Sequence, residues 1–436
     1  MNSYLVCFSP ECRTKYPITE PIYECKKCGS LLEAAYDWNA EQAGTWKQVW
    51  RERRLDNSPL NQSGVWRYRE ALPFLPDTDH VVTLREGNTP LLSAPHAARY
   101  AGLDSLTFKH QGFNPTGSFK DNGMTCGVSQ AVRLGKKRVA CVSTGNTSAS
   151  MAAYASAAGL QAIIFLPHGN ISFGKLSQAL EYGALTLQLE QNFDQILALV
   201  RRIAEAADIY LLNSVNPFRI EGQKAIAIEM LDQLDWQVPD WVVMPGGNLG
   251  NSSALGKGFL ELRNLGLIYR LPRIGVVQAI GSAPFYEYMS SPDGSAFRPV
   301  SSPETLATAI RIGDPVSWQK AMSVVRQTEG VVESATEQEI ADAKAVIGRA
   351  GIGCEPASAA TLAGICKLVR KGVITRNAKV VGVLTGNLLK DPDYIYRYHT
   401  NTLKTPGGEL LQSNFANQPK LVSSNPEELT ELLRAL

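Results

Sequence analysis

The sequence predicts an α/β protein with largely parallel sheets, preceded by a small cysteine-rich module. Three observations carry this. From Val81 onward, short apolar segments alternate with helical stretches rich in alanine and glycine, the pattern of strand–helix units with right-handed crossovers. Several of these segments end in glycine- or serine-rich turns that open helices, and ligands in such folds sit at the carboxyl ends of the strands. Residues 1–35 stand apart, because they hold four of the eight cysteines in two pairs.

Those pairs are Cys7-x4-Cys12 and Cys25-Lys26-Lys27-Cys28-Gly29, a spacing that resembles a zinc ribbon. The second pair is a tight knuckle followed by glycine. The first is wider and contains Pro10. Bound zinc and a metal-free ribbon both stay open. Four thiolates leave no open ligand position, so a metal here would be structural. Next comes a helix over Trp46 to Arg54. The aromatic segment Val65-Trp66-Arg67-Tyr68 follows and is expected in the core or at an interface.

Strands are expected at Leu106–Lys109, Arg138–Val142, Gln161–Leu166, Leu185–Leu189, Ile209–Asn213, Trp241–Met244, Ile274–Gln278 and Val380–Leu384, each a short apolar run bounded by turn residues. Arg138 to Leu189 reads as a compact sub-domain of small strand–helix units. After Thr400 the chain turns polar. It ends in Asn425-Pro426-Glu427-Glu428 and a stripe of Leu429, Leu432 and Leu433. That is a capped terminal helix, expected to pack on the body or on a partner subunit.

A chain of 436 residues, 44% hydrophobic and 19% charged, has room for two or three domains and a large core. A formal charge of +2 gives no electrostatic case for nucleic acid. The start, MNSYLVCFSPEC, lacks the pattern of a signal peptide, and the apolar stretch Leu160–Pro167 is too short to span a bilayer. A cytoplasmic location is expected. Cys126, Cys141, Cys354 and Cys366 lie among apolar and small residues and read as reduced core cysteines. The five histidines are scattered without metal spacing.

Four motifs carry chemistry. Asn114-Pro115-Thr116-Gly117-Ser118-Phe119-Lys120-Asp121 places turn and cap residues before a helix read over Met124 to Leu134. A helix start disfavours the ammonium form of a nearby lysine, which suits Lys120 to a Schiff base with an aldehyde. By itself the segment fits an ordinary surface lysine equally well. Pro245-Gly246-Gly247-Asn248-Leu249-Gly250-Asn251 follows a strand and opens a helix. It is neither a Walker loop nor a Rossmann fingerprint, but backbone donors at a helix start suit one phosphate monoester. Ser143-Thr144-Gly145-Asn146-Thr147-Ser148 is a similar corner with hydroxyls and an amide, able to hold a carboxylate or phosphate. Leu384-Thr385-Gly386-Asn387 ends another strand, and Thr385 can offer a hydroxyl to a ring nitrogen. A lysine amine, a phosphate loop, an asparagine corner and a hydroxyl for a pyridine nitrogen together describe a pyridoxal phosphate site.

With those motifs in place, the chain resembles the threonine synthases of the tryptophan-synthase-β-like family. The resemblance runs from the cysteine-rich start to about Thr400. It rests on REGNTPLL (85–92), NPTGSFKDNGMT (114–125), STGNTSAS (143–150), NSVNPFRIEGQK (213–224), GGNLGN (246–251) and LTGNLLKDPD (384–393). It implies two open, mostly parallel sheet domains with the cofactor between them. The large one would comprise 36–118 and 214–400, the small one 119–213, with the module at 1–35 and a tail at 401–436. It implies that Lys120 holds the cofactor. Gly247, Asn248, Leu249, Gly250 and Asn251 would bind its phosphate, Asn146 its phenolic oxygen and Thr385 its ring nitrogen. The implied substrate is O-phospho-L-homoserine, met by Ser143, Thr144, Thr147, Asn213, Ser214 and Arg219. A homodimer is implied as well.

Asn122 and Asn387 depart from the family pattern, where arginine and histidine respectively are frequent. Neither carries an assigned role, but both could tune substrate choice. The N-terminal extension resembles that of the longer members, some of which respond to S-adenosylmethionine; no motif decides that here. A β-replacement enzyme acting on O-phosphoserine and a catalytically inactive ligand-binding relative are the alternatives.

Overall fold

The computed structural model describes residues 2–169, 173–191, 193–292 and 295–435. Among these residues, thirteen strands form three sheets. The first three, β1 (Ser3–Cys7), β2 (Lys15–Pro17) and β3 (Leu32–Tyr36), make an antiparallel sheet in the order β2-β1-β3. In chain order there follow β4 (Leu91–Ser93), β5 (Leu106–His110), β6 (Arg138–Val142), β7 (Gln161–Pro167), β8 (Leu185–Leu189) and β9 (Ile209–Leu211). The last are β10 (Trp241–Pro245), β11 (Arg273–Ala279), β12 (Val331–Ala335) and β13 (Val380–Leu384).

The larger sheet has the order β12-β11-β10-β13-β5-β4, parallel except where β4 runs against β5. The smaller, β8-β7-β6-β9, is wholly parallel. Helices cover both faces, so central strands such as β10 and β13 are buried at every residue. That explains their continuous apolar sequences. All eight strands expected from the sequence are present. Five strands were not expected: β1, β2 and β3 of the N-terminal sheet, and β4 and β12 at the two edges of the larger sheet. β4 has three residues and runs antiparallel to β5, and Glu333 and Ser334 interrupt the apolar pattern of β12. Both polar residues are nevertheless buried, with Lys371 2.6 Å from the Glu333 carboxylate.

One expectation needs correction, and another keeps only one of its two alternatives, packing on a partner subunit. The helix after the lysine begins at Lys120 itself, four residues before Met124. The terminal helix Pro426–Arg434 is capped as expected, with the Asn425 side chain accepting from Glu427 and Glu428. None of its described residues is buried, however, and Leu433 is 61% exposed. The chain therefore does not fold this helix onto its body.

Close helix packing brings the two halves of the site together. The helices Lys120–Arg133 and Pro217–Gln233 pack on one another through glycines. A Cβ on Gly222 would fall 1.8 Å from the Asn122 carbonyl oxygen, and one on Gly123 would fall 2.9 Å from that of Arg219. The N-terminal module bridges several elements. Tyr36 donates to Glu221 on the second of these helices (2.6 Å), Gln130 on the first donates to the Ile18 carbonyl (3.0 Å), and Leu211 of β9 donates to the Tyr23 hydroxyl (2.7 Å). Among the described residues no helix is long and apolar enough to cross a membrane.

Candidate active site

Four motifs from different parts of the chain follow the carboxyl ends of β5, β6, β10 and β13. The lysine loop is zipped onto the end of β13: Phe119 donates to the Thr385 carbonyl (3.0 Å) and Asn387 to the Gly117 carbonyl (2.9 Å), with Ser118 bridging Gly386. Asp121 holds the turn. Its buried carboxylate accepts from the Thr116 N–H (2.7 Å), the Thr116 hydroxyl (2.6 Å) and Ser150 (2.5 Å), and burial raises it to about 6. Lys120 becomes the first residue of its helix. Part of its side chain stays accessible, while its amine lies 4.0 Å from the centre of the Phe119 ring. Burial and then the Arg219 guanidinium lower that amine to about 7, with Glu355 acting in the opposite sense. The amine is thus poised toward neutrality, but mainly through desolvation and a neighbouring cation rather than the helix end.

The glycine loop is an anion cradle. Leu249 adopts the left-handed region (φ 62°) as the cap of the helix Gly250–Asn264, a conformation that costs a leucine ~1 kcal/mol. Among the described residues none accepts from the N–H groups of Gly247, Asn248, Leu249, Gly250 or Asn251. Both amide atoms of buried Asn251 also lack a partner. Asn248 anchors the loop. Its oxygen accepts from Val316 N–H (2.9 Å) and its nitrogen donates to the Ser214 hydroxyl (3.2 Å). That bond ties the cradle to the segment carrying Arg219.

Arg219 is 2% exposed. One nitrogen donates to the Leu212 carbonyl (3.0 Å) and Nε has no partner. Burial drags the guanidinium down to about 10. Among the described residues no carboxylate pairs with it, and a buried cation so placed points to an anion that is not protein. Ser143, Thr144, Asn146, Thr147 and Ser214 are partly accessible. Asn213 is turned elsewhere: its amide pairs with both the N–H and carbonyl of Val142 (3.2 and 3.1 Å), so it braces the end of β6.

Asn146 donates to Glu355 (3.0 Å), and so does Thr385 (3.0 Å). Glu355 was missed in the sequence. Its signal was a glutamate before Pro356-Ala357-Ser358-Ala359, a helix-capping position whose side chain does not cap. The donor set fits pyridoxal phosphate: a desolvated amine for its aldehyde, five free N–H groups and an unpaired amide for its phosphate, and polar side chains for its ring. Arg219 remains for a second anion. A separate hollow of about 810 Å³, lined by Tyr36, Trp38, Lys257 and Lys320 among others, contains none of these residues.

At the N-terminus, the Sγ atoms of Cys7, Cys12, Cys25 and Cys28 lie within 4.8 Å of one another, and all eight cysteines are free thiols.

Residues 82–386 match the family model described as pyridoxal-phosphate dependent enzyme. The threonine synthase of Methanosarcina acetivorans is 46% identical over 386 residues, 88% of this chain and 92% of that protein. That of Methanocaldococcus jannaschii is 45% identical over 402 residues, 90% and 95%. The solved structure of threonine synthase from Escherichia coli shares the fold, with a TM-score of 0.68 at 16% identity and 99% of each chain covered. The chain belongs to the pyridoxal-phosphate dependent enzymes, in the family of threonine synthases.

Proposed function

We propose that this protein converts O-phospho-L-homoserine and water to L-threonine and inorganic phosphate. The observation that carries this reading is Arg219, a buried guanidinium that pairs with no carboxylate among the described residues, on the helix packed against that of Lys120. It supplies charge and bidentate donors for a second phosphate beside the glycine cradle.

The assigned roles follow. Lys120 takes the cofactor aldehyde, and Gly247, Asn248, Leu249, Gly250 and Asn251 take its phosphate. Asn146 lies at the phenolic oxygen and Thr385 at the ring nitrogen. Ser143, Thr144, Thr147, Ser214 and Arg219 receive the substrate phosphate, and Asn213 supports them from the end of β6. Pyridoxal phosphate, when bound, supplies an electron sink for carbanions beside the substrate nitrogen. The freed Lys120 amine, already near neutrality, would take the proton from Cα, hand it on to the carbon that carried the cofactor's aldehyde, and, neutral again, take the proton from Cβ. Arg219 stays charged throughout and stabilises the phosphate as it leaves Cγ. Lys120 then manages protons while water adds at Cβ.

Four thiols within reach of one ion support a structural zinc held by Cys7, Cys12, Cys25 and Cys28. We assign the domains as 1–35, 36–118 with 214–400, 119–213 and 401–436, a division supported by the three separate sheets. The protein works as a cytoplasmic homodimer. The test of the activity is phosphate release from O-phosphohomoserine and O-phosphoserine in parallel, with amino-acid analysis of the products. Threonine from the first, with little turnover of the second, is expected. Efficient β-replacement on O-phosphoserine alone would overturn the assignment.

A further inference from the structure

Glu355 joins elements that otherwise meet only at the site. Its carboxylate is 2% exposed. One oxygen accepts from Asn146 at the helix start after β6, the other from the Thr385 hydroxyl after β13, each at 3.0 Å. The fold reserves space for it: a Cβ on Gly386 would lie 2.3–2.5 Å from its carboxyl atoms.

Its hydroxyl neighbours have a defined direction. Ser358 Oγ accepts from the N–H groups of Thr385 (2.8 Å) and Gly386 (3.0 Å). With both lone pairs engaged, Ser358 must send its own proton to Thr385 Oγ1, 2.9 Å away. Thr385 then has one proton and one lone pair left for two neighbours, Glu355 and whatever lies in front of it. If Glu355 is ionised, Thr385 donates to it and presents a lone pair forward, which suits a protonated nitrogen. If Glu355 is protonated, it donates to Thr385, and Thr385 donates forward to a bare nitrogen. The two arrangements differ by the transfer of one proton along the chain, from Glu355 to Thr385 and from Thr385 to the nitrogen, with no change in the total.

We propose that Glu355 is a positioning residue that shares one proton with the cofactor's ring nitrogen through the Thr385 hydroxyl. This rests on the reading that Thr385 faces that nitrogen. The surroundings leave the carboxyl able to exchange a proton. Burial and Asp391 raise it, while the bonds from Asn146 and Thr385, and Lys390, oppose them. Lys120 and Lys344 face it from their own helices, and the Cys354 thiol precedes it in the chain. Glu355→Gln separates proton sharing from scaffolding. A glutamine can still accept from Asn146 and donate to Thr385, so it keeps both bonds while losing the ability to ionise.

The experiment loads wild-type protein, Glu355→Gln, Thr385→Val and Thr385→Ser with pyridoxal phosphate labelled with nitrogen-15 in the ring. The ring resonance is then followed by NMR against pH. In Glu355→Gln and Thr385→Val the pH of half-protonation should fall by about one unit or more relative to wild type, and Thr385→Ser should restore it. An unchanged titration in Glu355→Gln would overturn the shared proton while leaving the Thr385 placement intact. An unchanged titration in Thr385→Val would remove the placement itself, and the proposal with it.

Discussion

Replacing Arg219 by methionine should make the ligand-free protein more stable and the enzyme far worse. The guanidinium is 2% exposed and its pKa is pulled down to about 10 by burial, a loss of roughly 3 kcal/mol in the free energy of holding its proton. An apolar side chain of similar length removes that penalty. Against this, the Leu212 carbonyl loses its donor, at 3.0 Å in the native protein, which costs ~1 kcal/mol. The balance is a gain of ~1–2 kcal/mol, read as a rise in the urea midpoint of apo-protein at unchanged slope. On the substrate side, two charge-assisted bonds to phosphate are lost, ~3–5 kcal/mol together. That is about a hundred- to a few-thousand-fold in kcat/KM for O-phosphohomoserine, with cofactor affinity within about threefold. The reasoning fails if the variant is less stable than wild type while kcat/KM stays within about tenfold. Arg219 would then be an ordinary structural cation.

Other consequences are as concrete. The Lys120 amine, lowered to about 7, must be neutral to attack an aldehyde, so cofactor uptake by apo-protein should accelerate as pH rises toward 7 and level off above it. Continued acceleration to pH ~10, as for an unperturbed lysine, would contradict this. The same depression makes the charged lysine destabilising below about 7, a penalty relieved progressively as pH climbs from there toward the unfolded-chain value. Asn248→Ala removes the bonds to Val316 and Ser214 and should raise the cofactor Kd by about 10- to 100-fold, or ~1–3 kcal/mol, in an absorbance titration. Gly222→Ala forces a Cβ to within 1.8 Å of backbone and should cost ~3 kcal/mol, seen as a lower unfolding midpoint. Cys25→Ser with Cys28→Ser should abolish zinc in purified protein by elemental analysis; unchanged zinc would place the metal elsewhere.

Much of this was legible in the sequence because parallel strands buried on both faces leave continuous apolar runs, and strand-end loops carry their donors locally. β6 and β13 have the bounds expected from such runs alone. The failures share a physical cause, dependence on tertiary context. The edge strands β4 and β12 owe their conformation to a neighbour, and the terminal helix has its cap written locally but its packing partner not at all. Lys120 was singled out for the field of a helix start. Its depression instead comes chiefly from burial and from Arg219, ninety-nine residues further along the chain. Asn213 reads as a ligand by its neighbourhood in the NSVNPFR segment, and only the fold turns its amide onto Val142. Glu355 carried only the faint signal of its capping position for the same reason, since its partners Asn146 and Thr385 lie on two other elements.

The central claim is that Lys120 is the residue that carries pyridoxal phosphate. Borohydride reduction of the purified protein followed by peptide mass spectrometry tests it directly. One cofactor mass per chain is expected, on the peptide containing Lys120. A cofactor mass on another lysine, such as Lys109 or Lys390, or on none, would contradict it.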